Sequence, residues 1–397
     1  MADGETLREV SAQAVAASGK SGDAAGAVPK VRTSMVIKLA GALVGTLIGS
    51  GFASGQEVMQ FFTSYGLAGI IGCLVAMALF GLLGAVFMNY GFRHKTADDF
   101  SAFRYFCGKY LGTFLEWFTI LFCFLVGIIM ISGAGATLNQ YFGVPQLVGS
   151  GIMSVIVLIS ALAGLRRLVS ILGYIGPVAI LFLVLISLYA LFTNFSGITG
   201  AEAAIAANGE NVVRGIGTSN AWFLVGAVMY VAYNILAGVP FMSQLGTQAA
   251  SKKEAVFGGL FGGVLLGGCA LLLNLAMLST YAQTSQYEVP ALHFATMISP
   301  AVGFIFVFVL LAMIYNTAVP MVWTVASQFV DEKTDLRRHR FLIALLTVII
   351  FFGGQLPFGM LVNLIYPFVG YFGIAFMVVI VVQYMRWHFD KKKGIVR

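Results

Sequence analysis

Long apolar stretches separated by short polar segments fill the chain between residues 34 and 388. Stretches such as 304–314 are apolar on every face, which is typical of helices in a bilayer, whereas the strands of a membrane β-barrel alternate apolar and polar residues. The pattern predicts an all-α polytopic membrane protein with about ten transmembrane helices of about 20 residues or more. The predicted spans are 34–62, 66–92, 111–138, 147–164, 168–193, 219–245, 255–282, 302–329, 340–354 and 358–387.

Composition supports a membrane protein, because only 10% of the 397 residues are charged, against about 25% in soluble domains. The net charge of +7 could indicate nucleic acid, but the basic residues lie at the ends of the spans. With the N-terminus inside, all of the 23 Lys and Arg residues except Arg214 fall in cytoplasmic segments, as the positive-inside rule requires. We therefore expect a bacterial inner-membrane protein with both termini in the cytoplasm and no nucleic-acid partner.

The two ends of the chain differ in composition from the membrane domain at 34–388. Residues 1–33 are rich in Ala, Ser, Gly and charge, which predicts a disordered cytoplasmic tail. Residues 389–397 form a basic cytoplasmic tail.

The first span contains an unusual density of glycine. Gly45, Gly49, Gly51 and Gly55 lie within eleven residues, and each glycine costs a helix up to about 1 kcal/mol relative to alanine. The pattern predicts a broken helix, and unwound backbone at membrane depth is tolerated only where it is buried or lines a cavity. The alternative is that these small residues only allow close helix packing.

Gln56 and Glu57 follow this break directly. A carboxylate near the middle of a membrane is costly and is by default functional. Glu57 could bind a cation or a proton, or it could cap the restarted helix; the two roles are compatible.

The sixth span combines polar residues with Gly238 and Pro240, and proline disrupts the preceding helical turn. A second break is therefore predicted, with a single kinked helix as the alternative. Two facing breaks would suit a small zwitterion, with amides binding its carboxylate and carbonyls its ammonium. The predicted substrate-binding residues are Ser50, Gly51, Phe52, Ala53, Ser54, Gln56, Tyr230, Tyr233 and Asn234.

The eighth span carries Asn316 and Thr317 at its centre. Their side-chain oxygens, with carbonyls from the first break, would suit a sodium ion, although hydrogen bonds between helices are the commoner use of such residues. The predicted ion-coupling residues are Glu57, Asn316 and Thr317.

The run from Gly49 to Glu57, Gly-Ser-Gly-Phe-Ala-Ser-Gly-Gln-Glu, resembles the bacterial YkvI-like membrane proteins. Its first four residues resemble the first-span break of the amino acid, polyamine and organocation transporter superfamily. The resemblance implies the leucine transporter fold, in which two inverted repeats of five helices, here 34–193 and 219–388, place the site at spans one and six. It also implies a sodium position between spans one and eight, for which Asn316-Thr317 departs from the usual Ser/Thr pair.

These features together predict a secondary active transporter that moves a small amino acid or related polar organic solute with Na⁺ or H⁺ by alternating access. A passive channel or a receptor-like membrane protein is the alternative. No nucleotide-binding loop is present, and the four histidines and four cysteines are scattered, so we expect neither an enzyme nor a cofactor other than the coupling ion. The sequence leaves the oligomeric state open.

Overall fold

The computed structural model describes residues 31–95, 101–163 and 169–392. Most of the predicted N-terminal tail and residues 393–397 of the C-terminal tail lie outside the described residues. The described chain is almost entirely helical. Its α-helices are α1 (Thr33–Leu47), α2 (Ser50–Ser54), α3 (Gln56–Phe61), α4 (Ala68–His94), α5 (Ser101–Phe142), α6 (Gln146–Ala163), α7 (Val169–Thr193), α8 (Ala201–Asn208), α9 (Phe223–Thr247), α10 (Lys252–Ser279), α11 (Tyr281–Thr284), α12 (Pro290–Ile298), α13 (Pro300–Phe329), α14 (Leu336–Gly353) and α15 (Phe358–Lys392).

Within the described residues, each predicted span is mostly helical. Among the described residues, eight helices are long and apolar enough to cross a membrane, so the chain is a multi-pass membrane protein. The segment α1–α3 is interrupted, and α14 begins with three arginines, Arg337, Arg338 and Arg340; neither belongs to those eight. The count of ten and the inverted repeat therefore stay predictions.

The break in the first span is confirmed. Helix α1 ends at Leu47, Gly49 is extended with φ −87° and ψ −178°, and α2 lasts only five residues. Gly55 then takes φ +88°, a left-handed conformation that costs glycine little because it has no Cβ. The helix is thus interrupted twice before α3 begins at Gln56.

The predicted break in the sixth span is wrong in this structure. Helix α9 runs without interruption from Phe223 to Thr247, with Pro240 inside it. A membrane helix tolerates proline when neighbouring groups satisfy the freed backbone. Gly238 meanwhile provides a close contact, because a Cβ there would lie 2.7 Å from Leu47 Cδ2 on α1. The kinked-helix alternative is therefore the better description of this span.

Glycine also sets the packing of α4 against α10. A Cβ on Gly84 would lie 2.8 Å from the backbone oxygen of Gly259, so the two backbones touch directly. Gly263, one turn along α10, faces Gly81 in the same way. Small residues four apart allow this approach in membrane helices, and the contact fixes one wall of the bundle around α1 and α9.

Candidate functional site

A cavity of about 110 Å³ lies beside the break in the first span. We call it the central cavity. Its walls come from α1, α2, α3, α5, α9, α13 and α15, so it lies at the meeting point of the bundle. Its volume is well above the roughly 10–15 Å³ that one water needs. Apolar and aromatic side chains make most of the lining, and a few polar groups converge on it.

Glu57 is the one charged residue in the lining of the central cavity. It is 5% exposed, and the Tyr233 hydroxyl donates to its Oε2 at 3.0 Å. The Tyr366 hydroxyl lies close to the same carboxylate. The two tyrosine rings stack at 4.4 Å between centroids and 10° between planes. Helices α9 and α15 therefore hold the carboxylate from one side.

Gly51 packs directly against the same carboxylate. A Cβ on Gly51 would overlap Glu57 Oε1 and lie 3.1 Å from the Tyr366 hydroxyl. The hydrogen bonds described for the carboxylate thus join it to other helices rather than to the first turn of α3, which favours the cavity role over the capping role.

Three of the predicted substrate-binding residues line the central cavity: Gly51, Tyr233 and Asn234. Asn234 Nδ2 donates to the Tyr230 carbonyl one turn earlier on α9 at 2.9 Å. Tyr230 itself packs among aromatic rings, including Phe62 with centroids 4.9 Å apart, and is not part of the lining.

The remaining predicted residues on α2 and α3 are buried beside the cavity rather than in its wall. Ser50 donates to the sulfur of Met130 on α5, whereas Ser54 Oγ donates to the Gly51 carbonyl within α2 at 2.8 Å. Phe52 and Ala53 are core residues. Gln56 faces a different cavity, on the outer side of α3.

Thr317 and Asn316 separate in the structure. Thr317 lines the central cavity, and its Oγ1 lies 3.9 Å from the position that a Cβ on Gly49 would take. Its hydroxyl donates to the Met313 carbonyl at 3.1 Å. Successive residues on a helix point about 100° apart, and Asn316 is not among the lining residues.

Sequence reasoning missed most of the apolar lining and two polar residues, Thr46 and Tyr366. That tyrosine directly precedes Pro367 in an otherwise apolar span, the same combination that drew attention to span six, and this signal could have identified it. The other missed lining residues are Leu47, Phe122, Cys123, Val126, Met130, Ala237, Phe241 and Met321; as single apolar or small residues in apolar spans, most carry no local signal.

The lining of the central cavity carries one negatively charged side chain and no positively charged one. Glu57 is accompanied by no lysine, arginine or histidine in the lining. Within the described part of the chain, no group of three or more His, Cys, Asp or Glu side chains could hold a metal ion. The cavity can therefore stabilise one positive charge, with hydroxyl and amide groups to orient it and an apolar wall for the rest of a ligand.

The segment 212–222 covers the far end of α3. Gly215 donates its backbone N–H to the Gln60 carbonyl at 2.9 Å, and the Tyr65 hydroxyl donates to the Ile216 carbonyl at 2.7 Å. Arg214 Nε donates to the Ser64 carbonyl at 3.1 Å. The segment 212–222 is not itself part of the lining of the central cavity.

Comparison with solved structures identifies the class of this fold. The chain superposes on MhsT in complex with L-phenylalanine with a TM-score of 0.57, at 14% identity over 82% of this chain and 79% of that one. It superposes on a mutant of the Eremococcus coleocola manganese transporter with a TM-score of 0.55, at 15% identity over 90% and 80% of the two chains. The fold is that of the leucine transporter type, which these neighbours use for transport and not for enzyme catalysis.

Two bacterial proteins are similar in sequence to this chain over most of its length. The uncharacterized membrane protein YkvI of Bacillus subtilis is 25% identical over 345 residues, which cover 86% of this chain and 93% of YkvI. The uncharacterized protein YyaD of the same organism is 23% identical over 339 residues, or 85% and 93% of the two chains. The chain is thus homologous to YkvI. No family model matches it.

Proposed function

We propose that this protein is a secondary active transporter that moves a small amino acid, or a related polar organic solute, together with Na⁺ or H⁺. The observation that carries the proposal is the Glu57 carboxylate, held by two tyrosines at a helix break and facing a cavity at the centre of the bundle. A bacterial cell would hold such a protein in its inner membrane, with both termini in the cytoplasm.

The lining of the central cavity supports an amino acid with an apolar side chain. Phe122, Met130 and Phe241 offer an apolar wall, while Glu57 offers a partner for an ammonium group. MhsT, which has the same fold, is known in complex with L-phenylalanine. L-phenylalanine and other large apolar amino acids are therefore the first substrates to test.

Charge balance supports coupling to one cation. A zwitterion adds no net charge to the cavity, so Glu57 would still be uncompensated after it binds, and an unpaired buried charge is costly. One Na⁺ beside Thr317, or one proton on Glu57, would bring the occupied cavity to neutrality. The protein would then change conformation only when both substrate and cation are bound.

Alternating access is part of this proposal and needs an end of the bundle that can open and close. The segment 212–222 packs over the end of α3 through the hydrogen bonds at Gly215, Ile216 and Arg214. We propose this segment, which is external on the predicted topology, as the cover that moves.

Uptake into proteoliposomes tests this function. Purified protein would be reconstituted and assayed with radiolabelled L-phenylalanine and a mixture of the other amino acids, under an inward Na⁺ gradient, an inward H⁺ gradient, or neither. We expect accumulation above equilibrium under one gradient only. Glu332→Gln, which changes a carboxylate in the loop between α13 and α14 that does not line the central cavity, serves as the matched control.

Equilibration of solute without accumulation under any gradient would indicate a passive channel. Binding without any flux would indicate a receptor-like protein. Either result would contradict secondary active transport.

A further inference from the structure

The outer ends of α3 and α15 meet in a small network of hydrogen bonds. Gln60 of α3 donates from its side-chain Nε2 to the Gly359 carbonyl of α15 at 2.9 Å. The Gln60 carbonyl accepts the backbone N–H of Gly215 at 2.9 Å, and Asn363 Nδ2 of α15 donates to the Arg214 carbonyl at 3.0 Å. We call these five residues the outer junction. Its bonds join both helices to the segment proposed above as the moving cover.

Arg214 is the one residue of the outer junction with a charged side chain. Its Nε donates to the carbonyl of Ser64, just beyond α3, at 3.1 Å. Its Nη1 and Nη2 donate at 3.1 Å each to the Thr218 carbonyl and to Asn220 Oδ1. The planar guanidinium carries its donors in fixed directions, so one side chain fastens the end of the first span and two positions of the cover at once.

The side-chain contacts of Arg214 are of a kind that can open and close. All three described acceptors are uncharged oxygens, and none of the ion pairs among the described residues includes Arg214. At the external end of the bundle, water can replace such acceptors at little net cost. Arg214 is also the only one of the 23 Lys and Arg residues predicted outside, where the positive-inside rule does not require a basic residue. Its contacts, rather than the topology, therefore account for an arginine at this position.

The same two helices meet again one turn deeper, at the central cavity. Glu57 precedes Gln60 by three residues on α3, and Tyr366 follows Asn363 by three residues on α15. Residues three apart lie on one face of a helix, and the Tyr366 hydroxyl lies close to the Glu57 carboxylate. A shift of α3 against α15 at the carboxylate therefore also changes the distances across the outer junction.

We propose that Arg214 is a positioning residue that couples the state of Glu57 to the closure of the cover. With the outer junction intact, Arg214 holds the segment 212–222 shut over α3. A cation that binds at Glu57 draws the carboxylate away from Tyr366, moves α3 against α15 and releases the contacts of Arg214. The inference rests on the proposed function, because it takes this segment as the moving cover. Its test needs neither substrate nor uptake, so either proposal can fail alone.

Cys123 serves as the reporter of closure, because it lines the central cavity. Intact cells that express the protein would be treated with a membrane-impermeant methanethiosulfonate reagent carrying trimethylammonium. The modified fraction of Cys123 would be followed over time by mass spectrometry of the digested protein. External reagent reaches Cys123 only past the cover, so the rate of modification reports how often the cover is open.

We expect Arg214→Gln to raise this rate at least tenfold, which corresponds to about 1.4 kcal/mol in the equilibrium of the cover. Asn363→Leu removes the donor to the Arg214 carbonyl at nearly unchanged size and should also raise the rate. The double variant should react no faster than the faster single one, because both changes open one junction, whereas independent effects multiply. Arg340→Gln, at the exposed start of α14, is the matched control and should leave the rate unchanged.

Coupling to the central carboxylate is tested by the cation response of the same rate. In the unsubstituted protein we expect the rate to change by about fivefold or more, the lower end of typical coupling, when Na⁺ replaces N-methylglucamine or when the medium is acidified. Arg214→Gln should lose that response. Acid acts on the thiol itself equally in both proteins, so only the difference between them reports the cover.

Asn363→Leu leaves the Arg214 side chain in place and provides the same comparison if Arg214→Gln does not reach the membrane. An unchanged rate in Arg214→Gln, multiplied rates in the double variant, or an equal cation response with and without the arginine would overturn the proposal.

Discussion

Replacing Glu57 by glutamine tests the centre of the proposed mechanism. The amide has nearly the shape of the carboxylate and can still accept from the Tyr233 hydroxyl, which lies 3.0 Å from Oε2. It cannot carry a negative charge or take up a proton in the working range of pH. The substitution therefore removes the charge of the central cavity while changing its shape very little.

The size of the effect follows from the surroundings of the carboxylate. Hydrogen bonds to a charged group contribute about 1.5–3 kcal/mol, and those between neutral groups about 0.5–1.5 kcal/mol, so the Tyr233 hydrogen bond would lose on the order of 1 kcal/mol. Removing one partner of a buried ion pair costs about 2–5 kcal/mol. A cation that pairs with Glu57 should then bind about 30-fold more weakly or worse.

The assay compares concentrative uptake with counterflow in the same proteoliposomes. We expect Glu57→Gln to lose accumulation and to keep exchange, because exchange needs substrate binding but no net movement of the coupling cation. Tyr233→Phe and Tyr366→Phe are the matched variants: each removes one hydroxyl, keeps the charge, and should retain accumulation at a reduced rate. Full accumulation by Glu57→Gln would refute the reasoning and make Glu57 a structural residue.

Three further predictions concern other parts of the molecule. Gly51→Ala should impair uptake while the protein still folds, because the added Cβ overlaps the buried carboxylate; normal uptake would show that the carboxylate can move aside without loss. Thr317→Ala should weaken the dependence of uptake on Na⁺, and Asn316→Ala, one residue away but outside the lining, should not; equal effects would argue against sodium at this position. In intact cells, an external thiol reagent should label Gln286→Cys and not Arg338→Cys, and external labelling at Arg338→Cys would contradict the predicted topology.

Glycine and proline carried different amounts of information about helix breaks. Four glycines within eleven residues predicted the break in the first span, and the structure has it at Gly49 and Gly55. The sixth span offered one glycine and one proline, yet α9 is continuous. Proline removes a single donor, which a membrane helix tolerates when its neighbours compensate, whereas a left-handed residue such as Gly55 redirects the chain.

The candidate site was predictable only in part, because a cavity depends on which faces of distant helices meet. Glu57 stood out as the one acid at depth, and Tyr233 and Asn234 stood out as polar residues in an apolar span. The pairing of Tyr366 with Glu57 joins positions 309 residues apart along the sequence, and no local pattern encodes it. Whether Thr317 or Asn316 faces the cavity likewise depends on how α13 is rotated about its axis, which the local sequence does not determine.

The continuous α9 changes how the central cavity would recognise a ligand. Two facing breaks would have supplied backbone amides and carbonyls, which no substitution removes. With α9 intact, the polar groups of that helix are the side chains of Tyr233 and Asn234, and the charge is that of Glu57. Backbone groups then come from the break in the first span alone, and α9 contributes through side chains. Conservative replacements such as Glu57→Gln and Tyr233→Phe should therefore separate charge from hydrogen bonding more cleanly than changes to the glycines of the break, which alter backbone and packing together.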